Sequence, residues 1–245
     1  ILIYLTPKNN IGSIWLGPLR GYLWNYDKNY NRYWIWTHEK EITSKFTKYA
    51  NISSVIYDLG ASYGFYTLLS SKHVKSEGIV YSFEPNINLV KKIKKHIKIN
   101  SLKNVKILNY AVSNNNEKIK FSLSDQTTRN SIIKSSRIFN NNNFTLVDSV
   151  KIDSLIEKGE IKIPDLLKID IEGAELKALE GMKNTLFKYH PTIFLSTHNC
   201  HLEGIHKKCC DFLKTLNYEI KYLNYFKKIT EFDDPWYDII AEYEK

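Results

Sequence analysis

The stretch Val55-Ile-Tyr-Asp-Leu-Gly-Ala-Ser-Tyr-Gly64 decides how this chain folds. An apolar run from Val55 to Tyr57 passes through Asp58 into two glycines four positions apart, the pattern of a buried strand that turns tightly into a helix opening at Phe65. Gly60 carries no Cβ to hold a nucleoside off the backbone, and Gly64 lets the following helix pack closely. About twenty residues on, Ile79-Val-Tyr-Ser-Phe83 ends in Glu84, the separation at which nucleoside-binding folds place a carboxylate on ribose hydroxyls. Turn and acid together predict a nucleoside cofactor.

Outward from this unit, apolar runs alternate with helical patterns. Val55–Leu59, Ile79–Phe83, Val105–Tyr110, Leu166–Ile171 and Thr192–Ser196 read as strands buried on both faces, as in a parallel sheet. Leu89, Val90, Ile93 and Ile97 recur at helical steps, as do Leu176, Leu179 and Met182, and mark crossover helices. Glu117–Leu123 reads as an extra strand or hairpin arm, and the polar tract Ser124–Asn143 as a mobile loop long enough to form a lid. Tyr218–Leu223 and Trp236–Tyr243 read as a closing antiparallel pair. The first fifty residues differ: Trp15, Trp24, Trp34 and Trp36 are interleaved with Tyr22, Tyr26, Tyr30 and Tyr33 without helical period. Short strands and turns around Gly12, Gly17 and Gly21, then a helix over Glu39–Tyr49, are expected there. The division predicted is an aromatic-rich appendage, 1–50, and a cofactor-binding domain, 51–245. Packing of the aromatic residues on the core is favoured over stacking on a ligand.

At 245 residues one full-sized core is expected. Lys and Arg number 35 against 26 Asp and Glu, a net charge of +9 that favours anionic partners, nucleic acid among them. The lysine run Lys91–Lys98 nevertheless has its isoleucines at helical spacing and reads as a solvated helix face. Three cysteines, two of them adjacent, suit a reducing, cytoplasmic setting. No run reaches the roughly eighteen apolar residues of a membrane span. The chain opens on Ile1, so fusion to or association with upstream domains is expected. His198, Cys200, His201, His206, Cys209 and Cys210 lack the two spaced pairs of a zinc site, and no metal is expected.

Read together, Asp58-Leu-Gly-Ala-Ser-Tyr-Gly-Phe-Tyr-Thr67, Ser82-Phe-Glu-Pro85, Asn109-Tyr-Ala-Val-Ser113 and Leu167-Lys-Ile-Asp-Ile-Glu-Gly-Ala-Glu175 closely resemble the FkbM family of S-adenosylmethionine (SAM)-dependent methyltransferases. Weaker echoes are Gly17-Pro-Leu-Arg-Gly21, Glu39 and Val150-Lys-Ile-Asp-Ser-Leu155. The resemblance implies a class I methyltransferase fold, α/β and Rossmann-like, with a mostly parallel seven-stranded sheet whose last strand is antiparallel. It implies SAM as cofactor and O-methylation of a hydroxyl on a sugar, glycan or small metabolite. Two positions depart from the family: Ser62 stands where Asn is usual, and Ser196 where an acid often precedes the histidine of the fifth strand.

Methyl transfer from a sulfonium needs an acceptor held in line, a dry pocket and an exit for the acceptor's proton. On the cofactor side the expected residues are Asp58, Gly60, Ala61, Ser62, Tyr63, Gly64, Glu84, Pro85, Asn109, Ala111 and Asp170, the adenine contacts of Asn109 and Ala111 by resemblance alone. Asp58 serves equally well as a helix cap. Asp170 and Glu172, one residue apart, share a side of an extended strand, so one faces the cofactor and the other the acceptor. These two and His198, a base with a pKa near neutrality, are the catalytic candidates. The bland alternatives are that Asp170 caps the next helix and that His198 is a surface group. Glu175 is expected to pair on the surface with Lys177 or Lys183. A nucleic-acid methyltransferase and a non-catalytic module of a glycan-assembly protein remain as alternatives. A nicotinamide oxidoreductase is a third alternative, but Gly60 is followed by Ser62, so the chain lacks the Gly-x-Gly-x-x-Gly spacing that such an enzyme requires.

Overall fold

The computed structural model describes residues 10–25, 39–51, 54–74, 76–122, 144–223 and 234–244. The tract 124–143 and Tyr26, Tyr30, Tyr33, Trp34 and Trp36 lie outside them. In chain order the elements are β1 (Ile11–Ser13), β2 (Leu23–Asn25), α1 (Lys40–Ala50), β3 (Val55–Leu59), α2 (Phe65–Val74), β4 (Ile79–Phe83), α3 (Ile87–Ile99) and β5 (Val105–Leu108). There follow β6 (Ala111–Val112), β7 (Lys118–Ser122), β8 (Phe144–Val150), α4 (Ile152–Glu157), β9 (Leu166–Ile169), α5 (Glu175–Gly181) and α6 (Lys183–Tyr189). The chain closes with β10 (Thr192–Thr197), α7 (Ile205–Lys214), β11 (Tyr218–Tyr222) and β12 (Tyr237–Tyr243).

Seven strands form one sheet in the order β11-β12-β10-β9-β3-β4-β5. The five from β10 to β5 are parallel to their neighbours, and β12 runs against both β10 and β11. The sheet is therefore mixed and mostly parallel, with its last strand reversed. From β3 the chain builds first toward β4 and β5, then crosses back to β9 and β10. The order reverses between β3 and β9, and open α/β sheets bind their ligands outside the strand carboxyl ends at such a point.

Alternation along the strands explains both layers. Tyr57, Leu59, Leu167 and Ile169 enter one core cluster, while Ile56, Val80, Leu166 and Phe194 enter the cluster on the opposite face. A strand buried on both sides has little room for polar residues, which is why these segments read as apolar runs. β7 and β8 pair antiparallel in a small sheet with β6, which places the expected hairpin arm.

The described N-terminal residues pack on this frame. Ile14, Leu19 and Trp24 share a buried cluster with Phe46 of α1 and with Ile56 and Phe194 of the sheet. Trp24 stacks on His96 of α3 at 4.1 Å between ring centroids. Nε2 of that ring accepts the Asn25 N–H at 3.0 Å, and its Nδ1–H donates to the Tyr63 carbonyl at 2.9 Å. Burial pushes His96 down to about 4, so the ring is neutral and can both donate and accept. No helix among the described residues is long and apolar enough to cross a membrane.

Candidate active site

The cofactor side is built where β3 and β4 end. Gly60 has φ +86°, and a Cβ on it would lie 2.0 Å from the Asp170 carbonyl oxygen. The reason for glycine here is thus the backbone of the neighbouring strand as much as any ligand: the turn after β3 presses directly against the end of β9. The Gly60 and Ala61 N–H groups both donate to the Phe83 carbonyl at 3.0 Å. Glu84 is 4% exposed, and its two carboxylate oxygens accept the Ser62 N–H at 2.9 Å and the Asn86 N–H at 2.8 Å. Burial raises its pKa to about 7 against those two hydrogen bonds, which favour the charged form.

Each oxygen of Glu84 keeps a further lone pair, so the anchored carboxylate fits the paired hydroxyls of a ribose. Asn109 donates from Nδ2 to the Glu84 and Pro85 carbonyls at 2.8 and 2.9 Å and so shapes the turn beyond the acid. Ala111 is buried in β6. Asp58, 2% exposed, accepts the Thr67 hydroxyl at 2.5 Å in the first turn of α2. It is thus tied to the first turn of α2, and burial holds its pKa up at about 6.

On the other side of the Gly60 turn three catalytic candidates meet. Asp170 and Glu172 do not continue β9. That strand ends at Ile169, and Glu172 and Gly173 have φ +55° and +99°. A left-handed turn, not strand alternation, brings the two carboxylates together. His198, just past β10, lies with Nε2 3.5 Å from Asp170 Oδ1 and 3.9 Å from Glu172 Oε2. Its Nδ1–H donates to Glu175 Oε1 at 2.8 Å, and the same oxygen accepts the Gly173 N–H at 2.9 Å. Glu175 is fully buried, which overturns its expected place on the surface beside Lys177 or Lys183. Burial disfavours a charged His198, but the Glu175 hydrogen bond and the Asp170 and Glu172 charges prevail and raise its pKa to about 9. The expected near-neutral base is thus an imidazolium at physiological pH, because three carboxylates surround it.

Asp170 and His198 line a cavity of about 470 Å³ with Glu39, Lys40, Glu41, Ile42, Ser196, Trp236 and Asp238. Under it lies Lys168, 1% exposed, which donates to Ser196 Oγ at 2.8 Å and sits 3.4 Å from Asp170 Oδ2. Ser196 Oγ in turn donates to Asp238 Oδ1 at 2.6 Å. Burial works against the Lys168 charge, but Asp170, Glu39, Asp238 and Asp58 outweigh it and raise the pKa. The acid absent at position 196 is supplied across the sheet by Asp238, its register partner on β12. No sequence pattern marks Lys168, Asp238, Glu175 or His201, whose Nε2 lies 2.6 Å from Glu172 Oε2, as part of this site. The nearest signal, for Lys168, is a lone charge inside an apolar strand.

Glycine turn, ribose acid, reversed last strand and switch-point cavity define a class I methyltransferase fold. A family model for the methyltransferase FkbM domain matches residues 58–238. The chain belongs to the FkbM methyltransferase family, and its cofactor is SAM. It is 25% identical over 148 residues to the hexuronic acid methyltransferase AglP of Haloferax volcanii, covering 60% of this chain and 58% of that protein. Among solved structures it resembles methyltransferase FkbM from Methylobacillus flagellatus at TM-score 0.53 and 18% identity, covering 78% of this chain and 44% of that one. A Streptococcus mutans protein in complex with S-adenosylhomocysteine (SAH) superposes at TM-score 0.50 and 11% identity, covering 81% and 96%. The chain thus spans about half the length of the first two relatives.

Proposed function

We propose that this chain transfers a methyl group from SAM to a hydroxyl of a sugar, glycan or related small metabolite. The observation that carries the reading is the convergence of Asp170, Glu172 and His198 beside a cavity that Asp170 and His198 line, with the Asp170 backbone packed against the Gly60 turn. Bound SAM supplies a methyl made electrophilic by a sulfonium. The chain's own residues do the rest: Glu84 holds the ribose, the Gly60 turn receives the methionine end, and Asp170 faces both cofactor and acceptor. With His198 protonated, the acceptor proton passes to a carboxylate, Asp170 or Glu172, while His198 orients that carboxylate.

A sugar acceptor is supported by the hexuronic acid named for AglP. The cavity also argues against a polyanion, since Glu39, Glu41, Asp170 and Asp238 line it with Lys40 and His198. A nucleic-acid enzyme would gather its cations at this mouth. A non-catalytic module would have no reason to converge its three candidates here. Cytoplasmic placement belongs to the same proposal and is supported by the small number of cysteines, three, of which Cys209 and Cys210 are adjacent in sequence.

The test is SAH titration by calorimetry, followed by transfer of labelled methyl to a panel of hexoses, hexuronic acids, oligosaccharides and RNA. Saturable SAH binding with label on saccharide hydroxyls is expected. Absence of SAH binding, or label on RNA alone, contradicts the reading.

A further inference from the structure

We propose that Asp170, Glu172 and His198 form a binding site for one divalent cation at the mouth of the acceptor cavity. One ligand atom from each, a carboxylate oxygen from the acids and Nε2 from the histidine, lies within 4.8 Å of the others. The shorter separations, 3.5 and 3.9 Å, are close to those between neighbouring ligands of one ion at roughly 2.0–2.3 Å. All three side chains are partly open, at 32%, 22% and 15%, so coordination positions remain for water or substrate. Two carboxylates and one imidazole suit Mn²⁺ or a similar first-row ion.

The surroundings are those of a metal-bound imidazole. Metal-ligating histidines donate their second N–H to a carboxylate that fixes tautomer and ring orientation, and Glu175 does this for His198 at 2.8 Å. Glu175 is fully buried, and its Oε2 has no hydrogen-bond partner among the described residues. It therefore contributes a desolvated negative charge whose influence falls on His198 and whatever Nε2 binds. His201 holds the far carboxylate, Glu172, at 2.6 Å.

The role of the cation rests on the methyl-transfer reading. An acceptor hydroxyl coordinated there would become more acidic and would release its proton to solvent. Its oxygen forms the bond to the methyl carbon as the carbon–sulfur bond breaks. The bonding pair stays on sulfur, leaving SAH. A second, adjacent sugar hydroxyl can occupy another open position and fix which oxygen reacts.

The experiment is titration of the chelator-stripped 245-residue chain with Mn²⁺, followed by electron paramagnetic resonance, with SAH calorimetry on the same samples. One Mn²⁺ per chain is expected, with affinity falling at least about tenfold in Glu172→Gln and in Glu175→Gln, which keeps the bond to His198 but removes the charge. SAH affinity should be retained in both variants, which also shows that they are folded. Lack of saturable Mn²⁺ binding, or binding unchanged in both variants, overturns the cation site while intact SAH binding leaves the methyltransferase reading standing. Loss of SAH binding in the unaltered chain would instead overturn that reading.

Discussion

Glu84 accepts the backbone N–H of Ser62 at 2.9 Å, so the acid that ends β4 and the glycine turn that ends β3 are one rigid piece. Neither can shift without the other, so in the proposed binding mode the ribose and methionine halves of one cofactor would be held at a set distance. Glu84→Ala should weaken SAH binding at least about tenfold, or ~1.4 kcal/mol, because it removes the diol acceptor and leaves the Ser62 and Asn86 N–H groups without their partner. Calorimetry measures this, and unchanged affinity would remove Glu84 from the site.

The same carboxylate should make binding pH-dependent. Its pKa in the folded chain is raised from 4.5 to about 7, so between those values the folded state holds a proton the unfolded chain releases. This contribution to stability is present at low pH and is lost as pH rises through about 7. Cofactor affinity has the opposite sign, since ribose hydroxyls donate best to the ionised form. SAH affinity should be flat above pH 8 and fall as pH drops below about 7. Glu84→Gln should flatten the profile, and an unaltered slope would place the titrating group elsewhere.

Gly60→Ala should destabilise the fold by ~3 kcal/mol or more. The added Cβ meets the Asp170 carbonyl, and the backbone at φ +86° disfavours any side chain. Chemical denaturation gives the figure. A variant of unchanged stability would show that the two turns are not in contact.

How much of this was legible from the residues depends on how local the cause is. Val55–Leu59 and Ile79–Phe83 were placed to the residue, since burial on both faces writes itself as an unbroken apolar run. Asp170 and Glu172 were found, but as strand neighbours. Only the positive φ values of Glu172 and Gly173 show that a turn joins them; Gly173 permits that conformation without requiring it, and a glutamate at 172 gives no sign of it. Glu175 looked like any acid in the first turn of a helix, because its partner His198 is 23 residues away. Lys168, Ser196 and Asp238 form one chain of contacts from three strands, which no local pattern can reveal.

Those three define a further outcome. Lys168→Met leaves the partly buried Asp170 and Asp238 without their cation and should cost about 2–3 kcal/mol. The double variant Lys168→Met with Asp238→Asn should recover part of the loss, as a double-mutant cycle would record. Strict additivity of the two substitutions would show that Lys168 does not serve Asp238.

His96 ties the N-terminal strands to α3. Its pKa is lowered from 6.5 to about 4, so the unfolded chain takes up a proton there that the folded chain refuses. This contribution is complete above pH 6.5 and is lost as pH falls toward 4. His96→Ala should cost ~2–4 kcal/mol from the lost Trp24 stack and two hydrogen bonds, and should weaken the acid sensitivity of thermal unfolding. An equally acid-sensitive variant would assign that sensitivity to other groups.

The most direct test is a crystal structure of the chain with SAH bound. The ribose hydroxyls should lie about 2.6–3.0 Å from the Glu84 carboxylate, with the sulfur beside the Gly60 turn and facing the cavity lined by Asp170 and His198. SAH bound elsewhere, or with its sulfur turned away from that cavity, would contradict the account.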